Sequence, residues 1–212
     1  MVRLPGTSPV SSAASAIDAI VIGTSAGGVE ALSVLLPALP ATLRAAVFIV
    51  MHLPRERPSL LAEIFRAKCA CPVSEAQDKE PVLPGSVYFA PPDYHLLIDK
   101  GPHLALSTDE LVNYSRPAID VLFESAADIY RERLLGIILT GANQDGAAGL
   151  KAVHRLGGTA LVQRPDSAQA SLMPQSAIAQ CPTAHVLSLE QMADLLRTLE
   201  DGNALDLSHA TN

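Results

Sequence analysis

Ile22-Gly-Thr-Ser-Ala-Gly-Gly28 stands between an apolar run, Ile17-Asp-Ala-Ile-Val-Ile22, and a helical pattern, Val29-Glu-Ala-Leu-Ser-Val-Leu-Leu36. A glycine-rich turn between strand and helix has two common uses. It cradles a phosphate at the helix N-terminus, as in dinucleotide-binding folds. Or it holds a nucleophilic serine on a sharp elbow, where glycines remove the Cβ atoms that would crowd it. The glycines fall at Gly23, Gly27 and Gly28, which does not give G-x-G-x-x-G but does give G-x-S-x-G around Ser25. Alone, such a turn is only a turn, and Ser25 could equally cap the helix that follows.

Working outward, strand-like and helical runs alternate. Ala45–Met51 is a second continuous apolar strand, and a helix near Pro58–Ala70 follows, with Pro58 suited to its first turn. Ser86–Ala90, His95–Ile98 and His103–Leu106 are short runs separated by Pro-Pro-Asp and Lys-Gly-Pro turns, the pattern of an antiparallel meander. A helix spans about Pro117–Arg131, Leu134–Leu139 is a third buried strand, and a helix over Ala147–Leu156 ends at Gly157-Gly158. Thr159–Gln163 and Ala184–Leu187 read as strands, and Leu189–Leu199 as a last helix. Strands apolar throughout, alternating with helices, predict an α/β fold. Its core is a mainly parallel, doubly wound, Rossmann-like sheet with helices on both faces and a short antiparallel extension. The expected organisation is a leader over 1–16, one domain over 17–199 and a tail over 200–212.

Bulk properties narrow the function. A chain of 212 residues with 49% hydrophobic content can bury one substantial core. A net charge of −7 and a pI near 5.3 provide no basic stripe for nucleic acid. Aromatic residues are 4% and tryptophan is absent, so base-stacking platforms are missing too. Cys69, Cys71 and Cys181 form no C-x-x-C and read as buried reduced thiols. No apolar stretch reaches the ~20 residues that span a bilayer, and the leader lacks an h-region. A cytoplasmic location without membrane insertion is expected.

In open parallel sheets, sites form beyond the carboxyl ends of the strands. The first strand ends at Ser25, the second in Met51-His52-Leu53-Pro54, and the third in Thr140-Gly-Ala-Asn-Gln-Asp-Gly146. A serine, a histidine and an aspartate thus converge on one sheet edge, the makeup of a Ser-His-Asp triad, which is recognised by roles rather than chain order. Taken singly, His52 could be a structural residue and Asp145 an N-cap for the following helix. Asp93 and His95 lack a third ligand, so no metal or other cofactor is expected.

At these residues the chain resembles the catalytic domain of the chemotaxis protein-glutamate methylesterases, the CheB family. The resemblance covers residues 17–199 and rests on "IGTSAGGVEAL", "MHLP", "LPGSVYFAPPDYH", "SRPAIDVLF", "ILTGANQDGAAGL" and "MPQSAI". It implies a serine esterase with Ser25, His52 and Asp145 as triad and the backbone amides of Ala26 and Ala142 as oxyanion donors. The implied substrates are glutamyl γ-methyl esters, and certain glutamines, on the cytoplasmic helices of chemoreceptors. Arg116 either contacts that acidic substrate or caps a helix; Met173 either lines the crevice or packs in the core. The family usually reads T-G-M-G-x-D-G before its acid, so Ala142 and Asn143 depart from the pattern. If that glycine has φ > 0, Asn is the best-tolerated replacement. Family members commonly carry an N-terminal receiver domain. About sixteen residues precede the first strand here, too few for one. Control in cis is therefore not expected, and a separate regulatory protein would act instead. Two rival readings are a catalytically silent receptor- or regulator-binding module and a carboxyl esterase outside chemotaxis.

Overall fold

β1 (Ala19–Thr24) is apolar along almost its whole length because both of its faces are covered. Ile20 and Ile22 enter one hydrophobic cluster, Ala19 and Val21 the other, as the two-residue period of a strand requires. In the computed structural model, which describes residues 16–53, 59–199, 205 and 207, this strand is the centre of a seven-stranded parallel sheet. On one side β1 pairs with β2 (Ala46–Met51), followed outward by β4 (Val87–Phe89) and β3 (Val73–Glu75). On the other it pairs with β7 (Leu134–Ile138), followed by β8 (Thr159–Gln163) and β9 (His185–Leu187). β5 (His95–Asp99) and β6 (His103–Ser107) form a separate antiparallel pair.

The helices divide between the two clusters. α1 (Gly28–Leu35), α2 (Leu61–Arg66) and α6 (Leu189–Arg197) cover one face. α3 (Ile119–Tyr130), α4 (Ala147–Arg155) and α5 (Leu172–Gln180) contribute to the other cluster. α6 starts at a capping box, in which Ser188 accepts from the Gln191 backbone and Gln191 returns the bond. Within the second cluster Phe48 is fully buried, with Tyr88 stacked at 5.7 Å and Tyr130 tilted at 6.4 Å. Phe48→Ala leaves a ring-sized void beneath the central strands. It is expected to cost about 3–5 kcal/mol of stability, read as a lowered urea midpoint at unchanged slope.

The antiparallel expectation holds for β5 and β6 only. Val87–Phe89 joins the main sheet, parallel to β2 and β3, because its fully buried residues fit a two-sided core better than a half-solvated meander. β3 and α5 were not expected; each is short, and α5 has little helical amphipathicity in its sequence Leu-Met-Pro-Gln-Ser-Ala-Ile-Ala-Gln. The first-turn role of Pro58 and almost all of the leader and the tail lie outside the described residues. Among the described residues, no helix is long and apolar enough to cross a membrane.

Candidate active site

Three neighbouring strands, β2, β1 and β7, deliver three side chains to one edge of the sheet. Thr24 pairs with Met51 in the β1–β2 register, so Ser25 and His52 leave their strands at the same level. The His52 backbone N–H donates to the Thr24 carbonyl at 3.1 Å, and the Ser25 N–H to the Thr140 carbonyl at 3.0 Å. Two threonines tie the edge together: Thr24 Oγ1 donates to the Thr140 carbonyl at 2.9 Å, and Thr140 Oγ1 to the Ala26 carbonyl at 2.8 Å. The buried Gln163 side chain accepts from the Thr140 N–H at 2.9 Å, locking the start of the β7 loop to β8.

The turn after Ser25 needs glycine for a definite reason. Gly27 has φ +80, and a Cβ there would stand 2.7 Å from Gln169. L-residues with side chains rarely adopt that backbone, and the space is taken as well. Gly27 is also the N-cap of α1, so the Ser25 side chain is not that helix's cap. Ser25 is half-buried and Ala26 is exposed.

Asp145 is fully buried, and its carboxylate is the hub of the site. Oδ2 accepts from His52 Nε2 at 3.0 Å and from the Ile119 backbone N–H at 2.6 Å. Oδ1 accepts from Asn113 Nδ2 at 2.8 Å, the Asp120 N–H at 3.2 Å and the Gly146 N–H at 3.0 Å. Asp145 therefore does cap a helix, but it caps α3 rather than α4, whose own N-cap is Gly146. The positive end of α3 stabilises the anion it receives. Burial alone would raise the Asp145 carboxyl, but the donors from His52, Ile119 and Asn113 outweigh it and hold the group below its ordinary value.

That direction fixes a pH dependence. A carboxyl lowered by folding contributes stability above the ordinary aspartate value of ~3.9 and loses it as pH falls through the lowered one. The stability advantage of the wild type over Asp145→Asn is therefore expected to shrink on acidification below about pH 4. A gap in urea midpoint that is the same at neutral and strongly acid pH would show that the anion contributes nothing.

With Asp145 ionised, Nε2 of His52 must carry the hydrogen, which leaves Nδ1 as the proton acceptor. This reverses the serine-protease template, in which Nδ1 faces the carboxylate. Among the described residues, no hydrogen bond joins Ser25 Oγ to His52, and neither the Ala26 nor the Ala142 N–H has an acceptor. Both amides belong to exposed residues. The arrangement can thus perform acyl transfer: a hydroxyl, a carboxylate-anchored imidazole and two unspent amides.

Two expected contacts look different in place. Met173 is fully buried, with its thioether packed under Gly141, whose missing Cβ would lie 2.6 Å from the sulfur. It supports the β7 loop from below and does not line the crevice. The Arg116 guanidinium donates to Asp93 Oδ1 through Nε and Nη2, at 3.1 and 2.8 Å, and to the Thr108 and Asp109 carbonyls through Nη1. These bonds brace the loop before α3, and Arg116 also lines a cavity there with Tyr114 and Leu111.

Asn113 and Asp120 belong to the site but were not singled out in the sequence. Asn113 Nδ2 bridges Asp145 and Asp120, at 2.8 Å to each. Burial pushes the Asp120 carboxyl up, opposed by its bond from the Gly149 N–H and reinforced by the Asp145 charge. The only hint was the position of Asp120 in "SRPAIDVLF", at the first turn of a helix. Asn113 sits in a loop at φ 50, where Asn is among the tolerated residues.

A doubly wound α/β domain with a serine elbow on its central strand and a His–Asp pair on the two flanking ones has the layout of a serine hydrolase. Residues 20–196 match the family described as CheB methylesterase. The chain belongs to that family. A Leptospira interrogans protein, provisionally named a protein-glutamate methylesterase/protein-glutamine glutaminase, is 46% identical over 186 residues, 88% of this chain and 96% of its own. The protein-glutamate methylesterase/protein-glutamine glutaminase of Trichodesmium erythraeum is 35% identical over 84% of this chain, which spans only 51% of that longer protein. The crystal structure of the Thermotoga maritima CheB methylesterase catalytic domain superposes with a TM-score of 0.82 at 33% identity, over 86% of this chain and 98% of that one.

Proposed function

We propose that the chain is a serine esterase that hydrolyses glutamyl γ-methyl esters on the cytoplasmic helices of chemoreceptors and deamidates glutamines there. Family membership supports the substrate class. The observation that carries the chemistry is the 3.0 Å bond from His52 to a buried, ionised Asp145, one strand away from Ser25.

Ser25 Oγ attacks the ester carbonyl while its proton passes to His52 Nδ1. The tetrahedral oxygen is held by the Ala26 and Ala142 amides, where each donor is worth about 3 kcal/mol. Collapse breaks the ester C–O bond, and methanol leaves with the proton from Nδ1; from a glutamine the leaving group is ammonia. Water, deprotonated by the same nitrogen, then hydrolyses the glutamyl–Ser25 ester and restores the serine. Asp145 keeps the imidazole oriented and stabilises its cationic form.

The test is methanol release from methylated receptor fragments by the wild type and by Ser25→Ala. Release that requires Ser25 supports the reading. Binding without release would make the domain a docking module. Turnover confined to small carboxyl esters would place its substrate outside chemotaxis.

A further inference from the structure

Asn143 stands where the family usually has glycine, yet it does not occupy positive-φ backbone, so the turn's geometry does not explain it. Its side chain does. Oδ1 accepts from the Asp145 backbone N–H at 3.2 Å, which fixes the amide so that its NH2 group faces the other way. Nδ2 then meets His52 Nδ1 at 3.3 Å. Nε2 is already committed to Asp145, so Nδ1 can only accept, and the amide N–H can only donate. The imidazole is therefore gripped at both nitrogens, with the hydrogen forced onto Nε2. Nδ1 is also the nitrogen that Ser25 needs, and Ser25 Oγ has no bond to it among the described residues.

We propose that Asn143 is a positioning residue that acts as a latch on the base. It steadies the ring in the tautomer that Asp145 sets and occupies Nδ1 while the crevice is empty. It must release that nitrogen before Ser25 can give up its proton. Asn143 is partly exposed between exposed Ala142 and Gln144, so its side chain has room to swing into solvent. Among the described residues, the groups hydrogen-bonded to the His52 ring are Asp145 on one side and Asn143 on the other, one permanent and one exchangeable. The proposal rests on the Ser25–His52–Asp145 reading above.

A small fluorophosphonate tests it, because this probe needs no receptor to displace the amide. Labelling forms the Ser25 Oγ–P bond and breaks P–F; the serine proton passes to Nδ1 and then to solvent, and fluoride leaves. Asn143→Ala is expected to speed labelling by about threefold to tenfold, the range one neutral hydrogen bond governs. Asn143→Asp keeps the acceptor for the Asp145 N–H but turns a carboxylate towards Nδ1. It draws a proton onto that nitrogen and is expected to slow labelling at least tenfold. The ¹⁵N resonance of His52 Nδ1 should move in Asn143→Ala to that of an unbonded acceptor, which a purely structural role for Asn143 would not cause. Labelling that persists in Ser25→Ala overturns the nucleophile assignment and the latch with it. Labelling lost in Ser25→Ala but unchanged or slower in Asn143→Ala overturns the latch alone; the slower result would make the amide an oxyanion donor.

Discussion

Ser25→Ala is expected to reduce methanol release by about 10⁶, the scale found when a serine hydrolase of this mechanism loses its nucleophile. The fold should survive. Ser25 lies past the end of β1, makes its backbone bond to Thr140 through the main chain, and has no side-chain bond among the described residues. The loss should therefore appear in kcat with an unchanged urea midpoint. His52→Gln should cost nearly as much, because a serine hydroxyl is a weak nucleophile without a base. Residues acting as a unit are not additive, so a Ser25/His52/Asp145 triple variant should be little worse than Ser25→Ala. Losses that multiply would show three independent residues in place of a triad.

Asp145→Asn is expected to lower kcat by about 10⁴, as in the serine-protease template. The geometry gives the reason. Asp145 Oδ2 takes donors from both His52 and Ile119, and Oδ1 takes three more. An amide at this position has only one oxygen. Whichever way it turns, its NH2 group faces donors: the His52 Nε2–H and the Ile119 N–H in one orientation, the Asn113 amide and the Asp120 and Gly146 N–H groups in the other. In the first case the imidazole is pushed to the other tautomer, with its hydrogen on Nδ1, and the base is lost. In both, the buried NH2 group opposes an α3 backbone amide, so stability falls as well. A kcat within tenfold of the wild type would reduce Asp145 to the α3 cap that it also is.

These two residues show different degrees of legibility. Ser25 and His52 could be placed from the sequence because each directly follows a continuous apolar strand, and parallel strands end at the same edge of a sheet. Asp145 was legible as a charged residue beyond the third such strand. Its helix was not. Chain order pointed to α4, which follows it directly, whereas the carboxylate turns back to α3, about 25 residues earlier in sequence. Periodicity has no term for a contact of that kind. The same applies to Asn113, which bridges two buried carboxylates from a loop, and to Val87–Phe89, whose short apolar run fits a meander or a parallel strand equally well.

What the sequence by itself determined is the alternation of doubly apolar strands and amphipathic helices, and hence a parallel sheet with its chemistry at the carboxyl edge. Burial on both faces leaves such strands no other partner than helices. It also marked the elbow, since Gly27 tolerates the left-handed backbone that the turn requires. Only the tertiary structure decided which nitrogen of His52 is the base. That choice follows from Asp145 being seated on α3 and Asn143 being turned by the Asp145 backbone amide, so that one ring nitrogen meets an anion and the other a donor. Hydrogen-bond polarity at a histidine is set by neighbours from distant parts of the chain, and no local pattern encodes it.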